Sequence, residues 1–208
     1  MAAYHKYVFD QASRSLVGDW EKMYQQEAVE GFDSWHQEDS RQLQRMIALQ
    51  ILGMYNFGKI LDVGCGKGAF THLMKKRNNE VIGVDVSETA IATAAVRYPD
   101  ISFCVADVTR PDSLSDVVRK FSSPGTDLAV CAEILSYVSD WQGLLREMAR
   151  HTRHLLVCLD IPSNPIGFVK SPADLVAGIA ADFTIIEAME LKVSGFSIVF
   201  ATTKNQES

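Results

Sequence analysis

Residues 60–70 read ILDVGCGKGAF, with Gly64, Gly66 and Gly68 at alternate positions just after an apolar run. Glycine belongs where a backbone takes positive φ or comes close to another group. Its entropic cost makes three in five residues a sign that something lies against the loop. One acid, Asp62, precedes this turn, and two follow it: Asp85, about 20 residues on, and Asp107. A carboxylate only accepts hydrogen bonds. Asp85 has the spacing from a glycine loop that suits acceptance from ribose hydroxyls, and Asp107 is placed to accept from the exocyclic amine of adenine. Position alone favours a nucleoside ligand without separating a nicotinamide dinucleotide from another adenosine compound. The loop is GxGxG, however, whereas the dinucleotide turn is GxGxxG.

The elements that must hold these residues follow from the hydrophobic pattern. Apolar runs at 59–63, 80–85, 101–106, 127–132 and 154–160 alternate with helical patterns at 69–78, 88–97, 112–121 and 140–151. The runs are continuously apolar, so both faces of their sheet are covered, as in a parallel sheet between helices. Ser171, Pro172 and Asp174 form a helix start: a capping hydroxyl, a proline suited to the first turn and an acid facing free N–H groups. Two β-rich runs, 183–193 and 195–204, meet at Ser194-Gly195, too tight a joint for a crossover helix, so they are expected to pair antiparallel. The expected fold is a Rossmann-like, doubly wound α/β domain with a seven-stranded, mostly parallel sheet and an antiparallel C-terminal hairpin.

A single domain spanning 1–208 is expected, with residues 1–55 forming a helical cap that packs on the sheet or over its site. In the cap, Leu43, Met46, Ile47, Gln50, Ile51 and Met54 fall near one helical face. With 20 basic and 26 acidic residues the net charge is -6, which repels a phosphate backbone and argues against a nucleic-acid partner. The basic run Lys75-Lys76-Arg77 lies where the helix after the glycine loop should end and suits its dipole. Cys65, Cys104, Cys131 and Cys158 stand singly and read as reduced core residues. No 18-residue apolar run or signal-like N-terminus is present, so a cytoplasmic protein off the membrane is expected.

In matching order, ILDVGCGKG, VIGVD, CVADV and DLAVCAEILSYV resemble the four motifs of the class I S-adenosylmethionine-dependent methyltransferases over roughly residues 58–160. The terminal hairpin is similar to that family's sixth and seventh strands. The resemblance implies S-adenosylmethionine as cofactor, with Gly64, Cys65, Gly66 and Gly68 near its methionine part. Asp62 would support the loop or reach the ammonium group through water. Asp85 would bind both ribose hydroxyls, with Val86 against the adenine; Asp107 would read the adenine amine, with Val108 beside the ring. Trp20 and Tyr24 belong to an aromatic-rich N-terminal stretch, with Phe32 and Trp35, of the kind similar enzymes place over the cofactor. Glu133 would either line the methyl-transfer end or pair with the backbone of the glycine loop.

The expected activity is methyl transfer to an oxygen or nitrogen of a small-molecule acceptor. A non-catalytic S-adenosylmethionine-binding module is the alternative, with a nicotinamide-dependent oxidoreductase behind it. Relatives often carry a histidine after the fourth strand; Tyr137 stands in that stretch. Glu133, Tyr137 and His36 are therefore the candidates for a general base. His151 and His154 lack a nearby acidic partner in sequence, so no metal is expected. Asn164-Pro165 is similar to the amine-positioning motif of nucleic-acid aminomethyltransferases, but it follows the fifth strand rather than the fourth, and that reading is rejected. Residues 161–170 are instead expected to be a substrate-side loop, with Phe168 as a contact. The residues fix neither the acceptor nor the oligomeric state.

Overall fold

The computed structural model describes residues 5–39, 41–121, 125–192 and 195–204. After a short helix α1 (His5–Val8) and a small antiparallel pair, β1 (Phe9–Asp10) and β2 (Ser15–Leu16), come helices α2 (Trp20–Glu30) and α3 (Leu43–Gly53). The α/β unit then runs β3 (Lys59–Val63), α4 (Ala69–Met74), β4 (Glu80–Asp85), α5 (Glu88–Arg97), β5 (Ser102–Val105), α6 (Ser113–Val118), β6 (Thr126–Ala132), α7 (Trp141–His151) and β7 (Thr152–Asp160). It closes with α8 (Pro172–Asp182), β8 (Phe183–Leu191) and β9 (Phe196–Thr203).

Seven strands form one sheet in the order β5-β4-β3-β6-β7-β9-β8. The strands from β3 to β7 are parallel, and β9 runs antiparallel to both β7 and β8. The strand order reverses between β3 and β6, the point at which open α/β sheets open a crevice beyond their carboxyl ends. The continuously apolar strands divide by pleat. Leu61, Val63, Ile82, Val84, Ala129 and Cys131 face the layer of α6, α7 and α8. Ile60, Val81, Leu128 and Val130 face the layer carrying Ala48, Ile51 and Leu52 of α3 with Phe70 and Met74 of α4. Leu155 and Leu156 are fully buried on opposite faces. Each such leucine contributes about 1.5–3 kcal/mol relative to an exposed one.

Local chemistry sets the element ends. The Ser87, Asp140 and Ser171 side chains accept from the N–H of Ala90, Gly143 and Asp174 at the starts of α5, α7 and α8. The helix after the glycine loop ends at Met74, four residues short of the expected 78, because Asn79 folds back. Its Nδ2 donates to the Met74 carbonyl and its Oδ1 accepts from the Lys76 N–H. Helix α7 passes directly into β7 without a glycine turn. Of the expected hairpin joint, Ser194 lies outside the described residues.

Two features of the first 55 residues differ from expectation. They are not purely helical, since β1 and β2 form a small ladder. In α3 the buried residues are Ala48, Ile51 and Leu52, while Leu43, Met46 and Met54 are exposed. Arg45, three residues before Ala48 on the same helix, lines the crevice.

Among the described residues no helix is long and apolar enough to cross a membrane. The four cysteines are unpaired. His151 meets Ser115 Oγ at 2.9 Å, and His154 stacks on Phe200 with ring centroids 5.7 Å apart.

Candidate active site

The turn after β3 crosses the sheet at the strand-order reversal. Gly64, Gly66 and Gly68 take φ of 76°, 53° and 77°, the left-handed region that glycine enters without strain. The N–H groups of Gly64 and Cys65 donate to the Val84 carbonyl at 2.8 and 2.9 Å, tying the turn to β4. Asp62, buried beneath it, accepts from Thr71 Oγ1 of α4 at 2.6 Å. Burial raises its pKa to about 6 against the pull of that hydrogen bond and of Arg45.

Asp85 ends β4 and closes the turn from the other side. Its carboxylate accepts from the N–H of Gly66 at 2.9 Å and of Ser87 at 3.0 Å. Burial pushes its pKa up, and these backbone donors hold it down. Asp107 sits nearer the rim, accepting from Thr109 N and Oγ1 at 3.0 and 2.6 Å and meeting Arg110 Nε at 3.2 Å. The Thr109 hydroxyl, against a smaller opposing effect of burial, leads in holding its pKa down.

The N-terminal segment roofs the crevice. Gln37 donates from Nε2 to the Tyr24 hydroxyl at 3.0 Å and accepts at Oε1 from the Lys67 N–H at 3.2 Å. A Cβ on Gly66 would collide with Gln37 Oε1 and lie 2.7 Å from Tyr24 Oη, so the roof rests on bare backbone. Glu21 of α2 accepts from Ser87 Oγ, Thr89 N and Thr89 Oγ1 at the start of α5. Burial opposes its charge, but the bonds from Ser87 and Thr89 outweigh it and bring its pKa to about 2. Burial and the Asp85 charge raise the Tyr24 pKa.

Glu133 follows β6 with φ of 65°, a backbone conformation uncommon outside glycine. Its carboxyl accepts from the Asp160 N–H at 3.1 and 3.3 Å. Burial first, and the Asp160 charge second, raise its pKa to about 8. Trp20, Trp35 and Tyr137 cluster on the cavity lining, with ring centroids 4.8 to 6.2 Å apart and tilted 40° to 55°. Trp35 and His36 also take positive φ, at 54° and 50°, where the roof turns.

These parts line one cavity of about 660 Å³, ample for a ligand with a second molecule beside it. The sequence-derived residues Trp20, Tyr24, His36, Asp62, Gly64, Cys65, Gly66, Asp85, Val86, Asp107, Val108, Glu133 and Tyr137 all border it. Gly68 does not. Its missing side chain makes room for Phe103 of β5, whose ring atoms a Cβ would meet at 2.7 and 2.9 Å. Glu133 pairs with β7 rather than with the backbone of the glycine loop. Phe168 is partly exposed and away from the cavity; Phe196 lines it instead. Residues 161–170 turn to the N-terminal pair, with Asn164 accepting from Arg14 at both its backbone and side-chain oxygens.

Sequence reading missed Gln37, Arg45, Asp160 and Phe196. Arg45 donates to the carbonyls of Gln37 and Asp39, and burial lowers its pKa against the surrounding acids. No spacing rule links these residues to the glycine loop. Only Asp160 carries a sequence signal, as an acid ending an apolar strand.

Residues 60–154 match a family model described as a methyltransferase domain. In that match and in fold the segment is similar to the class I S-adenosylmethionine-dependent methyltransferases. The ubiquinone biosynthesis O-methyltransferase of Alkalilimnicola ehrlichii is 32% identical to the chain over 101 residues, 49% of the chain and 40% of that protein. The corresponding enzyme of Pseudomonas syringae pathovar tomato is 30% identical over 94 residues, 44% of the chain and 38% of that protein. The chain thus aligns with about two fifths of the length of these curated relatives.

The methyltransferase fold extends well beyond the matched segment. A crystal structure of the N-methyltransferase NodS from Bradyrhizobium japonicum, in complex with S-adenosyl-L-homocysteine, superposes with a TM-score of 0.69 at 18% identity, covering 89% of this chain and 98% of that one. A TehB-like S-adenosylmethionine-dependent methyltransferase from Corynebacterium glutamicum gives 0.59 at 20% identity, covering 94% and 100%. The [4+2]-cyclase SpnF gives 0.60 at 16% identity, covering 79% and 85%. At these identities the likeness is one of fold.

The methyltransferase cofactor is S-adenosylmethionine, and the cavity fits it on its own chemistry. A cradle of glycine backbone meets carboxylates able to accept from hydroxyls and amines, and the Arg45 guanidinium is the complement of a carboxylate.

Proposed function

We propose that this chain transfers a methyl group from S-adenosylmethionine to an oxygen or nitrogen of a small-molecule acceptor. One observation carries the reading. A single cavity is lined both by the glycine turn with its strand-end acids and by Trp20, Trp35, Tyr137, Glu133 and Asp160, which leaves room for an acceptor beside the cofactor. When bound, the cofactor supplies an electrophilic methyl on a sulfonium.

In this reading the chain binds, aligns and dries. Gly64, Cys65 and Gly66 take the methionine part, whose carboxylate Arg45 holds, while Asp62 braces the turn through Thr71. Asp85 accepts from the ribose hydroxyls. Asp107 accepts from the adenine amine, and Val86 and Val108 flank the ring. Trp20, Tyr24 and Gln37 cover the pair and exclude water, so that the acceptor is held in line with the methyl. Alignment of this kind accounts for most of the catalysis. Glu133, in reach of the acceptor chamber, is the group that takes a proton.

Calorimetry with S-adenosylmethionine, S-adenosylhomocysteine and NAD tests the assignment. The two adenosyl compounds should bind and NAD should not; a preference for NAD would overturn it. Turnover against a metabolite panel, followed by mass spectrometry, separates an enzyme from a binding module.

A further inference from the structure

Five carboxyl groups line the cavity, those of Asp62, Asp85, Asp107, Glu133 and Asp160, against the Arg45 guanidinium and the His36 ring. Three of the acids belong to the cofactor half in the reading above. Glu133 and Asp160 are left at the tips of neighbouring parallel strands, joined by the hydrogen bond from the Asp160 N–H to the Glu133 carboxyl. The backbone of Glu133 is held in the left-handed region, where a side chain persists only when its surroundings over-determine it. The same cavity is lined by the rings of Trp20, Trp35 and Tyr137, and Phe9 lies with its ring centroid 5.9 Å from that of Tyr137.

We infer, resting on the methyl-transfer reading, that the acceptor is an amine, bound as an ammonium between the Glu133–Asp160 acid pair and the aromatic wall. Aromatic faces attract a cation, and in a desolvated chamber the attraction exceeds its value in water. A phenolate would bring a further negative charge beside Asp160 and the other acids, whereas an ammonium offsets them and, as an opposite charge, favours the ionised form of Glu133. The wall also requires an apolar body beside the nitrogen.

The groups facing Glu133 are Asp160 and Cys158 of β7 and, from α3, Arg45. Burial and Asp160 together make its carboxylate a much stronger base than an ordinary one, matched to the task of accepting a proton from an ammonium. The ammonium gives one proton to Glu133. The freed nitrogen lone pair then forms the N–C bond while the S–C bond breaks, leaving its electron pair on sulfur. The product leaves as a methylated ammonium, and Glu133 returns its proton to water.

The test uses matched probes on the full chain saturated with S-adenosylhomocysteine: phenethylamine against 2-phenylethanol, and benzylamine against benzyl alcohol. Calorimetry should show each amine binding at least tenfold more tightly than its alcohol. Glu133→Gln and Asp160→Asn should each remove most of that advantage while affinity for S-adenosylhomocysteine stays within about twofold. With S-adenosylmethionine, the amines should yield N-methyl products by mass spectrometry. Alcohols binding as tightly as amines, an advantage that survives both substitutions, or binding of neither probe would each overturn the inference. Failure of S-adenosylhomocysteine itself to bind would instead sink the reading on which it rests.

Discussion

Lys67 sits inside the glycine turn, and its ammonium pairs with the buried carboxylate of Glu27 on α2, so the cofactor loop and its roof share an ion pair. Asp33 and Glu38 stand 3.3 and 3.6 Å from the same nitrogen, and Glu27 also accepts from Ser34 N and Oγ. Removing one partner of a buried pair strands the other charge, at about 3–5 kcal/mol. Lys67→Met should therefore lower the urea midpoint sharply, and Lys67→Met with Glu27→Met should recover much of the loss. A double variant no more stable than the single one would show that the pairing does not hold the roof.

Gly66→Ala is expected to disable binding more than folding. The new methyl would meet Gln37 Oε1 and Tyr24 Oη at φ of 53°, and both contacts belong to the roof rather than to the core. Affinity for S-adenosylhomocysteine should fall by more than tenfold, while the melting temperature falls by only a few degrees. Unchanged affinity by calorimetry would contradict a roof seated on this glycine.

Asp85→Ala removes a half-buried acceptor that two backbone N–H groups already orient. Affinity for both adenosyl compounds should drop by about 1.5–3 kcal/mol, the contribution of hydrogen bonds to a charged group. Retention of full affinity in the folded variant would exclude this carboxylate from the ligand.

Glu133 makes stability fall with rising pH. Its carboxyl keeps its proton up to about pH 8 in the fold, against an ordinary value of 4.5. Between those values unfolding releases a proton, so the stability it contributes is fully present below the lower value and is lost as pH rises to the higher one. Glu133→Gln lacks this penalty. Its melting temperature should match the parent at pH 4 and exceed it at pH 8.5, by up to about 5 kcal/mol in stability. Parallel curves across that range would show that Glu133 is ionised in the fold.

Much of the frame was legible along the chain because its signals are local. The apolar run and glycine turn at 59–68 specify a strand followed by a turn of positive φ, and β3, β4 and α5 fall at the expected residues. Asp85 was legible because one βα unit sets its distance from the turn. Gly68 has the local signature of a ligand-facing glycine, yet a glycine that makes room for packing looks the same along the chain; here Phe103, 35 positions away, takes the space. The face of α3 was not legible because periodicity ranks residues by hydrophobicity, whereas the face that packs carries the small Ala48 with Ile51 and Leu52.

What the sequence by itself determined was the order and type of the elements from β3 onward and the acids at the strand tips, set by backbone conformation over a few neighbouring residues. Tertiary structure alone decided what faces those acids: Gln37 on Gly66, Arg45 turned inward, Glu133 bonded to Asp160, and three aromatic rings brought to one wall. Those contacts join side chains far apart along the chain, and packing and charge, which have no period in sequence, select them.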